Sequence, residues 1–403
     1  MTWVPGVDAG HPYGVHNLPY GVMTPAGGGA PRLVVRIGDL GLDLAAACGR
    51  LAPDLAPLVS EPALNPLLAA PASTWRRLRG ALVEWLTRAE HRPVVEPLLR
   101  PIGQTHLPFA VGDYVDFYAS EHHASAIGRI FRPNSPALPE AWKHLPIGYH
   151  GRAGTVVVSG TPIVRPQGQR RLDGAIEVGP SLRLDIEAEV GFVLGAGTRL
   201  GEPVALADAA EHVFGVCLVN DWSARDLQAW EYVPLGPFLG KSFATSVSPW
   251  VVPLDAFDDA RTPPPARDVP LLPYLDDAAL PPWGLDIALE IELNGSLISR
   301  PPFAAMYWTA AQMLAHLTVN GASIRPGDLF ASGTVSGPEP DQAGSLMELS
   351  QLGRTPLELP GGVTRSFLED GDEVVIRGRV PAAPGRPELA LGEVTGVVVA
   401  SLQ

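Results

Sequence analysis

Residues 182–192 read LRLDIEAEVGF, and the alternation inside them decides the fold. Asp185, Glu187 and Glu189 fall at every second position, separated by Ile186 and Ala188 and followed by Val190. In an extended strand, residues i, i+2 and i+4 share a face, about 6.6 Å apart at each step. The pattern predicts a strand that turns three carboxylates to one side and Ile186, Ala188 and Val190 to the other. Like charges at this spacing repel, and burial would force one or more to hold a proton. A hard divalent cation removes the conflict, because Mg²⁺ and Ca²⁺ prefer carboxylate oxygen. The plain alternative is a half-exposed strand with a solvated acidic face. Two further acids bear on the choice: Asp116 in VGDYVDFYAS (111–120) and Asp221 in GVCLVNDWSARDLQ (215–228). Each precedes an aromatic and follows apolar residues, which suits a strand end facing a cleft and equally suits an ordinary cap or turn.

Outward from this stretch, short β-branched runs alternate with Gly/Pro turns: RAGTVVVSGTPIVRP, EAEVGFVLGAG, DEVVIRGRV and EVTGVVVASL. A helix is expected around AAQMLAHLTVNG, ending at Gly321. The Pro- and Asp-rich segment 255–282 is expected to be a surface loop. Before residue 111 the texture differs. Strand-like pieces such as RLVVRIGDLGLDL come first, then STWRRLRGALVEWLTRAEH (73–91), where Trp75, Leu78, Leu82, Trp85 and Leu86 recur at helical spacing. Ser73 or Thr74 is the expected N-cap, and Pro93 or Pro97 the expected stop. The chain thus divides into a scaffold block, 1–110, and a chemically richer block, 111–403. Mostly β with a few helices is the expected class.

Length and composition narrow the function. At 403 residues, with 46% hydrophobic and 18% charged, the chain can bury a sizeable core over two domains. A formal net charge of −14 argues against nucleic acid or an anionic membrane surface as partner. Cys48 and Cys217 are too few for a disulfide framework or a cysteine zinc site. The opening residues have no signal-peptide pattern, and no apolar run reaches the ~18 to 20 residues of a membrane span, so a cytoplasmic protein is expected.

Several long motifs resemble the fumarylacetoacetase (fumarylacetoacetate hydrolase) family. They are DFYASEHHA, HLPIGYHGR, LDIEAEVGF, NDWSARDLQAWEYVPLGPFLGKSFATSVSPW, VNGASIRPGDLFASGTVSG and GSLMELS. The resemblance runs from WVPGVDAGHPYGVHNLPYGV near the start to GDEVVIRG near the end; the variable segments, around 167–180 and 255–285, are expected to be loops. It implies a mainly β, α+β fold: a small N-terminal SH3-like β-barrel domain and a larger C-terminal mixed β-roll domain. It also implies a homodimer that hydrolyses a carbon–carbon bond of the β-diketone fumarylacetoacetate, the last step of tyrosine and phenylalanine catabolism.

By the same resemblance, Asp116, Glu187, Glu189 and Asp221 hold Ca²⁺, leaving Asp185 without a role. A Mg²⁺ site falls on Asp221, Lys241 and Thr245, and Lys241 can contribute there only its backbone carbonyl. An all-oxygen site accepts either ion. His123 is the implied general base, with Glu348 orienting it. Adjacency alone leaves His122 equally eligible, and the family's HA dipeptide favours His123. His150, in GYHGR, is a further candidate that reads as structural or as an outer support of the site. Arg225, Gln228 and Lys241 are implied to stabilise the departing carbanion. Bland alternatives are an ion pair from Arg225 to Asp226 or Glu231, and plain exposure for Lys241. Tyr118, Arg132, Tyr149, Gln228, Tyr232 and Thr334 match substrate-contacting positions. Two other functions are weighed: a related acylpyruvate or other β-diketone hydrolase, and a non-enzymatic metal-stabilised dimer.

Overall fold

The structure is a computed structural model that describes residues 2–131 and 134–402. Among these residues, thirteen strands form one continuous sheet. Its N-terminal part is built on Tyr20–Thr24, which pairs antiparallel with Arg32–Ile37; that strand pairs in turn with Leu40–Asp43. The segment 99–106 then closes the ring. Leu99–Pro101 pairs with Leu40–Asp43, and Gln104–His106 pairs with Tyr20–Thr24. Gly103 lies at the bend between the two pairings, where a Cβ would come within 2.2 Å of the Thr24 carbonyl oxygen. A small β-barrel results.

The barrel is joined to the rest by main-chain pairing of Tyr20–Thr24 with Trp250–Pro253. From there the sheet continues through Val213–Asp221, Ala188–Leu194, Leu329–Ala331, Tyr114–Phe117 and Gly148–His150. Ala188–Leu194 is buried at every residue, because sheet neighbours flank it and core packs on both faces. One of these faces is aromatic: Phe192 stacks on Phe330 at 5.1 Å, and Phe117 meets Phe330 edge-on at 5.8 Å. A second sheet of five strands orders Ser296–Ser299, Ala288–Leu293, Glu373–Val380, Leu389–Val399 and Ile163–Val164. Gly378 lets it close onto the first sheet, since a Cβ there would press to 2.6 Å from the Leu218 side chain.

The scaffold helix spans Ala72–Thr87 and buries Trp75, Leu78, Leu82, Trp85 and Leu86, as the spacing predicts. Its ends differ from expectation. Pro71 occupies the cap position in extended geometry and no side chain caps the helix. Pro93 does not stop it; Pro93 opens the separate short helix Arg92–Val95, where a missing N–H costs nothing. The second helix, Ala310–Thr318, carries a capping box between Thr309 and Gln312, with Gly321 three residues past its end in the left-handed region at φ 87°.

Two expected loops are corrected. Residues 167–180 form the hairpin Gln167–Leu172 with Ala175–Pro180, and Asp173 and Gly174 take positive φ at its tip. An Asp-Gly pair is the turn such a hairpin wants. Segment 255–282 is not wholly at the surface: it includes most of the 3₁₀ turn Leu254–Ala260, and it sends Phe257 and Leu275 into the core. Among the described residues, no helix is long and apolar enough to cross a membrane.

Candidate active site

The sheet order brings acids from distant segments together. Asp116 lies opposite Ala331 in the parallel Tyr114–Phe117 pairing, and Glu189 lies opposite Val219 across the next strands. Asp221 ends Val213–Asp221, and Glu187 precedes Ala188–Leu194. One oxygen from each of Asp116, Glu187, Glu189 and Asp221 falls within 4.8 Å of the others. All four residues are buried.

Their environments are unequal. Lys241 Nζ donates to Glu187 Oε2 and to Asp221 Oδ2, the latter at 2.7 Å, and Arg225 Nη1 donates to Glu187 Oε1 at 2.7 Å. Burial pushes the Glu187 carboxyl up, but the Lys241 and Arg225 charges overcome it and hold Glu187 far below the usual carboxylate range. Asp116 and Glu189 gain no such partner. Burial, and then the neighbouring carboxylates, drive both well above their ordinary values. Both carboxylate oxygens of Glu189 and Oδ1 of Asp116 are buried without a hydrogen-bond partner.

Buried carboxylates are normally paired or ligate metals. An all-oxygen donor set with three unpartnered atoms therefore fits a hard divalent cation. The second set, Asp221 with Lys241 and Thr245, fits less well. Both Asp221 oxygens already accept hydrogen bonds: Oδ1 from Thr245 Oγ1, and Oδ2 from Lys241 Nζ and the Tyr149 hydroxyl. The Lys241 ammonium group is buried and donates to Glu187 and Asp221, which leaves only its backbone carbonyl to ligate a cation.

The opening stretch is corrected at its middle. Leu184–Asp185 and Ala188–Leu194 are separate strands with Ile186 and Glu187 between them, and of the three acids only Glu187 and Glu189 join the cluster. Asp185 pairs through Oδ2 with Arg225 Nε at 2.8 Å. Arg225 thus takes neither Asp226 nor Glu231. Asp226 instead accepts from Ser181 Oγ and the Leu182 N–H, and Glu231 from the Phe238 and Gly240 N–H groups. Gln228, one turn further along the Arg225–Glu231 helix, accepts from Arg225 Nη1 at 3.2 Å. Arg225 Nη2 is buried with no partner.

Beside the acids stands an imidazole–carboxylate pair. His123, in the Glu121–Phe131 helix, hydrogen-bonds through Nδ1 to Glu348 Oε2 at 2.7 Å, and each side chain is only 5% exposed. Burial raises the Glu348 carboxyl. The His123 charge and hydrogen bond, with hydroxyl donors from Ser345 and Ser336, more than reverse this and hold it below its ordinary value. His122 is exposed on the same helix. That separates the adjacent histidines, which adjacency alone did not. The Tyr118 ring stands edge-on to His123 at 5.5 Å.

Of the remaining positions, Tyr149 reaches Asp221 through its hydroxyl at 3.0 Å. Thr334 is buried with Oγ1 unpartnered. It follows Gly333, whose φ of 75° and 2.1 Å approach to the Phe117 carbonyl oxygen exclude any side chain. Tyr232 caps the Arg225–Glu231 helix and is 40% exposed. Arg132 lies outside the described residues. Sequence reasoning missed Ser336 and Ser345. The Ser345-x-x-Glu348 spacing was a signal, but it reads as a capping box. Here Ser345 Oγ does accept from the Glu348 N–H, while donating to the Glu348 carboxylate at 2.7 Å.

Comparison with known proteins extends these observations. Residues 114–399 match the family described as Fumarylacetoacetate (FAA) hydrolase C-terminal, and residues 16–110 match Fumarylacetoacetase N-terminal. A Homo sapiens protein named fumarylacetoacetase is 45% identical over 421 residues, covering 100% of this chain and 99% of its own. A fumarylacetoacetase of Arabidopsis thaliana is also 45% identical, covering 98% and 97%. A solved structure titled fumarylacetoacetate hydrolase, from Exiguobacterium antarcticum, superposes with a TM-score of 0.55 at 17% identity. It covers 95% of this chain and 99% of its own, and speaks for the fold alone.

Proposed function

The chain belongs to the fumarylacetoacetase family, and from that premise we propose that it hydrolyses fumarylacetoacetate to fumarate and acetoacetate. The observation that carries this reading is the buried His123–Glu348 pair, within electrostatic reach of the Asp116, Glu187, Glu189 and Asp221 cluster. Those four acids would hold a divalent cation, Ca²⁺ or Mg²⁺, which when bound polarises the attacked carbonyl as a Lewis acid.

The rest of the chemistry falls to side chains. Glu348 accepts the Nδ1 proton of His123, which leaves Nε2 as the basic nitrogen. Nε2 takes a proton from water as the water oxygen bonds to the carbonyl carbon on the fumaryl side. This is the logic of a triad with water in place of the serine. The adjoining carbon–carbon bond then breaks, and its electron pair passes to the acetoacetate fragment, delocalised onto a carbonyl oxygen until a proton reaches carbon. Arg225 Nη2, a buried donor with no partner, supports a role in holding that charge. Gln228 accepts from the same guanidinium, and Lys241 Nζ pairs with the Glu187 that it grips. Tyr118, Tyr149, Tyr232 and Thr334 are assigned to the substrate, with Arg132 gripping a terminal carboxylate. Turnover of fumarylacetoacetate by the purified chain, with both products identified, tests the reading.

The reading includes a homodimer. Val233 (67% exposed), Leu235 (95%) and Phe238 (66%) form an apolar run directly after the Arg225–Glu231 helix, and such patches mark interaction surfaces. Sedimentation equilibrium should return twice the 42.6 kDa chain mass. A mass of one chain at tens of micromolar would count against the dimer.

A further inference from the structure

Asp185 has no part in the chemistry above, yet it is fully buried (0% exposed) between the two halves of the site. Its Oδ2 accepts from Arg225 Nε at 2.8 Å and from the Met347 N–H at 3.1 Å. Its Oδ1 accepts from the Leu346 N–H at 2.7 Å and from its neighbour's Ile186 N–H at 2.8 Å. Leu346 and Met347 are the first residues of the short helix Leu346–Leu349, whose next residue is Glu348. Their N–H groups have no partner within the helix. One carboxylate therefore fixes the guanidinium that grips Glu187 and the backbone that presents Glu348 to His123.

We infer that Asp185 is a positioning residue that couples the Arg225 side of the site to the His123–Glu348 pair. Both partners come from segments far away in sequence, 40 residues on for Arg225 and 161 for Leu346. Neither has a substitute for what Asp185 gives. Among the described residues, Arg225 Nε has no other hydrogen bond, and Leu346 N has none. An apolar or displaced side chain would free Arg225 to swing and loosen the turn carrying Glu348. An amide can still accept, but it brings an N–H₂ against a cluster made entirely of donors. Small misplacements of a catalytic pair are costly in rate even when binding survives.

The inference rests on the hydrolase reading, so its test has an arm that needs no substrate. Asp185→Asn is expected to lower kcat about 10- to 100-fold, the range typical of outer partners, with KM within about threefold. In a Glu348→Gln background the same change should cost several-fold less than in the parent, because the part that acts through the base is already lost. The Nδ1 proton of His123, held in a buried hydrogen bond to a carboxylate, should give a downfield imidazole signal in the parent's proton NMR spectrum. That signal should shift or broaden in Asp185→Asn with the fold intact by circular dichroism. Asp185→Glu keeps the charge and displaces it; it should show a smaller loss of kcat and the same spectral change. An unchanged signal, an unchanged kcat or an equal penalty in both backgrounds would overturn the coupling. Failure of both variants to fold would overturn it too, leaving Asp185 a stability residue only. If the parent itself does not turn over, the hydrolase reading fails while the NMR arm still decides the coupling.

Discussion

His123→Ala is expected to lower kcat on fumarylacetoacetate by roughly 10²- to 10⁴-fold, the range that general base catalysis supplies. Cation affinity, measured by calorimetry, should stay within about threefold of the parent, because His123 is not among the four clustered acids. The substitution also leaves Glu348 buried without its imidazole partner. Ser336 and Ser345 remain as donors to it, so the variant should fold, with stability reduced by about 1–3 kcal/mol. His122→Ala is the matched control. His122 is exposed, and its removal should leave kcat within about twofold. A dead His122→Ala with an active His123→Ala would reverse the assignment of the base.

Glu189→Gln should have the other large effect, and it acts on binding before chemistry. Both Glu189 oxygens are buried and unpartnered, and no cation hydrogen-bonds to them as Lys241 and Arg225 do to Glu187. Divalent-cation affinity should fall at least ~100-fold, beyond what outer partners usually cost. Activity should fall with it at any cation concentration below the new dissociation constant. A thermal measurement gives the converse. Cation at 100 times its dissociation constant stabilises the parent by about 2.7 kcal/mol, and the variant should gain almost nothing.

The pH dependence follows in sign. Burial and neighbouring acids raise the Glu189 carboxyl in the folded state, so without cation the native chain holds a proton there that the unfolded chain releases. Stability of the cation-free parent should then decline as pH rises above the ordinary carboxylate range, and that component should vanish in Glu189→Gln. A variant that binds cation as the parent does would refute the ligand assignment.

How much of this was legible in the chain depends on which interactions are local. The apolar half of LRLDIEAEVGF predicts burial correctly, because Ile186, Ala188 and Val190 have nowhere else to go. Its acidic half misleads. A period of two treats the three acids alike, whereas Asp185 is held by partners 40 and 161 residues away. Asp185 therefore looked like a third equivalent acid. The carboxylates that Lys241 and Arg225 meet were hidden for the same reason, since they are not their neighbours in sequence. The 167–180 hairpin is local, and its signal is Asp173-Gly174 at the tip, both at positive φ. The scaffold helix was placed by its apolar stripe, which is local and strong, whereas its ends followed Pro71 and a new helix at Pro93.

The central claim is that the acid cluster and the His123–Glu348 pair together hydrolyse fumarylacetoacetate. It is tested most directly by following the substrate's ultraviolet absorbance with the purified chain, first stripped of divalent ions by a chelator and then reloaded with Mg²⁺ or Ca²⁺. The stripped chain should be inactive. Reloading should restore loss of absorbance with equimolar fumarate and acetoacetate, and an acylpyruvate should be cleaved far more slowly. Absorbance that persists after reloading, or turnover that ignores the chelator, would contradict it.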